Sequence, residues 1–91
     1  MTFTFTIPDN EHNRIAFDYD EAGREELDAS VEDGKAAVFL NREGMITLAK
    51  LLLKIAYGSY TEGFHVHLRK DFNADAHEVL TLSLLGTSDN P

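Results

Sequence analysis

The chain contains no cysteine, and this absence excludes several kinds of chemistry. Its 91 residues can form no disulfide, no thiolate nucleophile and no zinc site built on cysteine. A chain of this size without cross-links depends on its hydrophobic core, and an apolar fraction of 43% is enough to build one. We therefore expect residues 1–91 to form a single domain of modest stability.

Long apolar runs are also missing. No stretch approaches the roughly 20 apolar residues needed to cross a bilayer. The first residues lack the basic and then apolar segments of a signal peptide. These absences predict a cytoplasmic protein that does not bind membranes.

Positive charge is scarce in the first third of the chain. Residues 1–34 hold ten acids against two bases, whereas residues 35–91 hold six of each, so the first third carries the whole net charge of −8. A negative field of this kind repels phosphate backbones and attracts basic surfaces. It argues against nucleic-acid binding and favours a protein partner with a basic surface.

Alternation of apolar and polar residues predicts four strands outside the middle of the chain. The alternating segments are residues 2–7, 14–19, 64–69 and 78–85. The first two are expected to form a hairpin around residues 8–13.

Residues 27–40 predict a further hairpin with a defined register. Asp33-Gly34 is a favoured two-residue turn, because both positions tolerate positive φ. Closing it pairs Leu27 with Leu40 and opposes the other apolar residues to one another. One face is therefore expected to be buried: Leu27, Ala29, Val31, Ala36, Val38 and Leu40. An acidic helical turn over residues 20–29 is the alternative.

A helix is predicted after this hairpin. Asn41 is a suitable N-cap, Glu43 complements the helix dipole in the first turn, and the helix is expected to end at Gly58 after Tyr57. The predicted core stripe is Met45, Leu48, Ala49, Leu52, Ile55 and Ala56. The predicted solvent face is Glu43, Thr47, Lys50 and Lys54.

The predicted element order is ββββαββ, which indicates an α+β fold of two layers. One helix covers one face of an antiparallel sheet of about six strands and leaves the other face in solvent. That open face is expected to carry Asp18, Asp28, Glu32, Phe39, His65, His67 and Arg69.

His65 and His67 are candidates for metal ligation, since they lie on the same side of one strand, about 6–7 Å apart. Asp71, His77 or a sheet-face acid could complete the site. A polar strand face with a structural or interface role is the alternative. The serines lie in no nucleophile motif, and the loop from Gly58 to Gly63 lacks a phosphate-binding motif. The sequence therefore predicts a protein that is not an enzyme and holds no cofactor.

The acidic residues and Phe39 form the predicted binding surface. Phe39 is expected to lie opposite Asp28 and to point away from the helix, where an aromatic residue among charges could anchor an interface. The predicted partner-binding residues are Asp18, Asp20, Asp28, Glu32, Asp33 and Phe39. A single exposed aromatic without a partner is the alternative, and a homodimer through the open sheet face is a further one.

Three segments carry a family resemblance: Phe39-Leu40-Asn41-Arg42-Glu43-Gly44, then Leu48-Ala49 with Leu52, then His65-Val66-His67-Leu68. Over residues 38–85 the chain resembles the immunity protein 32 family of bacterial polymorphic toxin systems. The resemblance implies a small α+β binding protein that neutralises a cognate toxin, and it implies neither the toxin nor any functional residue. Many toxins are nucleases with basic clefts, which an acidic surface can occupy.

Overall fold

The computed structural model describes residues 1–7, 15–20 and 22–86. Within these residues the fold is α+β, with one helix and two antiparallel sheets of two strands each. The elements are β1 (Leu27–Glu32), β2 (Lys35–Leu40), α1 (Arg42–Tyr57), β3 (His65–Arg69), a 3-10 turn (Lys70–Phe72) and β4 (Glu78–Ser83).

The β1–β2 hairpin, which is the first hairpin of the structure, has the register predicted for residues 27–40. Leu27 pairs with Leu40 and Asp28 pairs with Phe39. Both turn residues have positive φ, 53° at Asp33 and 75° at Gly34, as this tight turn requires. The alternative of a helical turn over residues 20–29 is wrong for the described residues, which have no helix before β1.

The predicted burial of this hairpin is confirmed at its base alone. Leu27 is fully buried, but Val31 is 76% exposed and Val38 is 44% exposed. The apolar face therefore reaches the core only near the open end of the hairpin, and its turn end lies in solvent. Alternation identified which residues share a face, but it could not show how much of that face is covered.

Helix α1 begins and ends where the sequence predicts. The Asn41 side chain accepts a hydrogen bond from the Gly44 amide at 2.8 Å, which is the expected N-cap contact. At the other end, the Gly58 amide donates to the Lys54 carbonyl at 2.8 Å.

The predicted orientation of α1 is wrong. Its buried residues are Gly44, Thr47, Leu51 and Lys54. Leu48 and Ile55 of the predicted stripe are partly buried against the core, whereas Met45 is 56% exposed and Leu52 is 46% exposed. The helix thus presents to the core a face with two polar residues that were expected in solvent.

Residues 15–20 explain how these polar side chains are buried, because they supply the partners. The Lys54 ammonium donates to the Ala16 carbonyl at 2.7 Å and forms an ion pair with Asp18 at 2.9 Å. The Thr47 hydroxyl lies 3.4 Å from the Asp18 carbonyl and 3.3 Å from a carboxylate oxygen of buried Glu25. Satisfied in this way, polar groups can be buried at acceptable cost.

The expected sheet of about six strands is not confirmed. Residues 1–7 and 15–20 contain no strand, and the expected turn at residues 8–13 lies outside the described residues. The backbone of residues 15–20 accepts hydrogen bonds from side chains of α1. Phe5 also lies beside this helix, with its ring centre 5.9 Å from the Lys54 ammonium. Alternation indicates that these segments are half-buried, but they lie against α1 and not in a sheet.

The strands predicted over residues 64–69 and 78–85 are confirmed as β3 and β4, and the structure shows that they pair with each other in antiparallel fashion. Val66 pairs with Leu82 and Leu68 pairs with Leu80, while His65 and His67 lie exposed on the other side. Among the described residues the buried core consists of Leu27, Leu51, Leu68 and Phe72. The core therefore draws one side chain from each of β1, α1, β3 and the 3-10 turn.

In the described part of the chain, no helix has both the length and the apolar character that crossing a membrane requires.

Candidate functional site: an acidic groove at the hairpin base

A groove of about 450 Å³ lies at the open end of the first hairpin. Asp28 and Phe39 are cross-strand partners there, so their side chains lie on the same face. Phe39 is 51% exposed. We call this groove the acidic groove, and its lining residues are Glu26, Leu27, Asp28, Phe39, Leu40, Asn41, Lys70 and Asp71.

Two side chains hold the walls of the acidic groove in place. The Asn41 amide group accepts a hydrogen bond from the Glu26 amide at 2.9 Å and donates to the Arg24 carbonyl at 2.8 Å. The Asp71 carboxylate accepts a hydrogen bond from the Leu27 amide at 2.9 Å. Since Asn41 also caps α1, the start of the helix is tied to the chain that leads into β1.

The acidic groove has an excess of negative charge. Of its lining residues, Glu26, Asp28 and Asp71 carry carboxylates and Lys70 carries the ammonium group. The Lys70 nitrogen lies 3.5 Å from Asp71 and 3.9 Å from Asp28. Such exposed pairs are weak and exchangeable. A cationic group of a partner could therefore displace Lys70 or bind beside it.

A second groove, of about 520 Å³, adjoins the acidic groove and shares Glu26 and Asp71 with it. Tyr19 and Phe72 line its other side. Partial burial, with the nearby charge of Glu25, raises the pKa of the Tyr19 phenol. Tyr19 therefore remains a neutral hydrogen-bonding group at ordinary pH.

Only two of the six predicted partner-binding residues line the acidic groove, Asp28 and Phe39. Asp18 is used within the fold, in the ion pair with Lys54. Asp20 pairs with Arg24 at 2.9 Å and lines the second groove. Glu32 and Asp33 lie at the turn end of the hairpin, where Glu32 accepts a hydrogen bond from the Ser30 hydroxyl.

Sequence reasoning missed Glu26, Lys70 and Asp71 as groove residues. The sequence indicates for Asp71 only a possible role as a metal ligand in a polar loop. Its φ of 54° turns the chain sharply before buried Phe72. The aromatic residue within this polar loop was the available signal for a turn that reaches the core.

The Asp20–Arg24 pair yields a pH prediction. The Arg24 side chain, hydrogen-bonded to the carboxylate, lowers the pKa of Asp20 below its ordinary value, and the Ala22 amide helps. The stability that this carboxylate contributes is present above its unfolded pKa and is lost as pH falls through the lower folded pKa. We expect Arg24→Gln to raise the pKa of Asp20, as measured by NMR titration. Arg42→Gln removes the same charge elsewhere and should leave the pKa of Asp20 unchanged. Equal pKa values of Asp20 in both variants would contradict the Asp20–Arg24 pair.

His65 and His67 lie side by side, with ring centres 5.0 Å apart. His67 is 3.4 Å from Glu78 and 3.1 Å from the Thr81 hydroxyl. Within residues 1–7, 15–20 and 22–86, no three acidic or histidine side chains are grouped to hold a metal ion. The histidines also lie on the second sheet, so they do not share a continuous sheet face with Asp28 and Phe39.

No family model, no curated protein and no solved structure matches this chain.

Proposed function

We propose that the chain is a non-catalytic binding protein that blocks the activity of a partner protein with a basic surface. Specifically, the chain would be an immunity protein whose acidic groove blocks a toxin domain. The observation that carries it is a half-exposed aromatic side chain, Phe39, at a groove that three carboxylates line. The resemblance of residues 38–85 to the immunity protein 32 family supports the same function.

The two parts of the acidic groove would contribute differently to binding. Phe39 offers a rigid apolar surface at the centre of a contact, and aromatic residues of this kind carry much of the energy in protein interfaces. Glu26, Asp28 and Asp71 would accelerate encounter with a positive surface, an effect that weakens as salt rises. A nuclease cleft lined with lysine and arginine fits both requirements, because its basic side chains normally hold phosphate.

A growth-rescue experiment tests the proposal. We expect the gene next to that of this chain to encode a large protein with a toxic C-terminal domain. Expression of that domain alone should stop bacterial growth, and co-expression of this chain should restore it. A neighbouring domain that is not toxic, or toxicity that this chain does not relieve, would contradict the proposed function.

Charge reversal tests the acidic groove as the binding surface. We expect Glu26→Lys with Asp28→Lys to slow association with the toxin domain by roughly tenfold or more at low salt. The matched control is Glu62→Lys with Asp75→Lys, which changes the net charge equally outside the groove. Stopped-flow kinetics at several salt concentrations give the rates. An equal decrease in both variants would show that total charge matters and would remove the groove assignment.

A further inference from the structure

Helix α1 presents an apolar surface to solvent. Met45 is 56% exposed, Ile46 49%, Leu52 46% and Leu53 38%. These residues lie opposite the buried face of Gly44, Thr47, Leu51 and Lys54. We define the apolar face as Met45, Ile46, Ala49, Leu52, Leu53 and Ala56. A surface helix normally places polar residues there, and a contiguous apolar patch marks an interaction site.

The spacing along the apolar face is typical of a helix that contacts another helix. Met45, Ala49, Leu52 and Ala56 follow one another at intervals of four, three and four residues. This is a seven-residue repeat, which keeps one seam of a helix in contact with a neighbouring helix. Large and small side chains alternate along the seam, so it has projections and recesses of matching size.

We propose that a second copy of this chain covers the apolar face, with the two α1 helices antiparallel. A twofold axis between Ala49 and Leu52 places Ala49 against Leu52 of the partner subunit. The same axis places Met45 against Ala56 of the partner subunit. Every large residue of the seam then meets a small one, so the surface is self-complementary, as a twofold interface requires.

Charge favours this surface over the acidic regions for contact between two copies. Each copy has a net charge of −8, all of it from residues 1–34. Copies that met through the acidic residues of this segment would repel each other. The apolar face has no carboxylate, and the charged residues beside it in α1 are Arg42, Glu43 and Lys50, which carry no excess of negative charge. The two copies can therefore meet with little electrostatic cost.

The area of the apolar face is sufficient for a weak dimer. Phe3, 59% exposed, extends the face by lining an apolar pocket of about 320 Å³ with Met45, Ile46 and Ala49. Tyr57, 76% exposed, follows at the end of the helix. Six large side chains about half exposed, at roughly 200 Å² each, offer on the order of 600 Å² per copy. The total of about 1,200 Å² is at the lower limit for a specific interface.

Sedimentation equilibrium tests whether the dimer forms. We expect the mass to rise from 10.2 kDa towards twice that value as concentration increases. Leu52→Glu should weaken dimerisation by at least about tenfold, because it places a carboxylate in the seam. Val31→Glu makes a comparable change at an exposed site on the hairpin turn end and should leave dimerisation intact. A chain that stays monomeric throughout, or equal weakening by both variants, would overturn the proposal.

Disulfide trapping tests the antiparallel arrangement, since the chain has no cysteine of its own. In the proposed dimer, a mixture of Met45→Cys and Ala56→Cys chains should cross-link on oxidation. Neither variant alone should do so, because like positions would lie about 16 Å apart along the helix axis, beyond disulfide reach. Cross-linking of Met45→Cys alone would indicate parallel helices and overturn this arrangement. Failure of the mixture to cross-link would also overturn it.

Discussion

Phe72→Ala is expected to lower the free energy of unfolding by about 3–5 kcal/mol, a large part of the total for a chain of this length. Phe72 is 7% exposed. Its ring meets Phe17 edge-to-face at 6.2 Å and Tyr19 at 6.4 Å. Truncation would leave a cavity where the 3-10 turn, residues 15–20 and the core meet. Thermal and urea unfolding should show a decrease in Tm on the order of 15–30 °C.

Phe39→Ala is the matched control for this prediction, because it makes the same substitution at a half-exposed site. We expect it to cost no more than about 1 kcal/mol. Phe72 also has a φ of 54°, a backbone angle that residues other than glycine adopt at an energetic cost. Phe72→Gly should therefore be at least as stable as Phe72→Ala, although glycine is usually the less stable choice. Equal losses at positions 39 and 72 would contradict the assigned core.

Gly44→Ala is expected to destabilise the protein by about 2 kcal/mol, although alanine at an open helix position would stabilise it by about 1 kcal/mol. A Cβ atom at position 44 would overlap the carbonyl oxygen of Glu26 and lie 3.1 Å from Oδ1 of Asn41. The overlap is with backbone, which cannot move aside as a flexible side chain could. The substitution would separate α1 from the chain entering β1 and weaken the Asn41 bridge.

Ala49→Gly supplies the reference value for Gly44→Ala. Residue 49 is exposed in the same helix, so at concentrations below those at which copies associate, the change should cost about 1 kcal/mol. Urea unfolding measures both variants. If Gly44→Ala proved stabilising, the close approach of the helix to residue 26 would be disproved.

The parts of the fold that local chemistry determines could be predicted from the sequence. The Asp33-Gly34 turn determines the register of the first hairpin, because both positions adopt positive φ. Asn41 determines the start of α1 through its contact with the Gly44 amide. The Asp28–Phe39 part of the acidic groove follows directly from this register.

The orientation of α1 could not be predicted, because it depends on partners distant in the sequence. Thr47 and Lys54 are polar, so a hydropathy pattern places them in solvent. Their burial depends on distant partners. The Thr47 hydroxyl is close to the Asp18 carbonyl and the Glu25 carboxylate. The Lys54 ammonium donates to the carbonyl of residue 16 and forms an ion pair with Asp18. The same dependence on distant contacts explains why Glu26, Lys70 and Asp71 were missed as neighbours in the acidic groove.

The bond between the Leu27 amide and the Asp71 carboxylate joins residues 44 positions apart, and this separation has a consequence for folding kinetics. Each hairpin and the helix close short loops, which takes roughly microseconds. The hydrogen bond to Asp71 forms only after the intervening chain has become ordered. The conformational entropy of that chain is therefore lost before the bond contributes any stability. We therefore expect the docking of the preformed hairpins and helix to be the slow step of folding. Substitutions at the Asp71 turn would change the refolding rate, because they would change how fast the two hairpins and α1 dock.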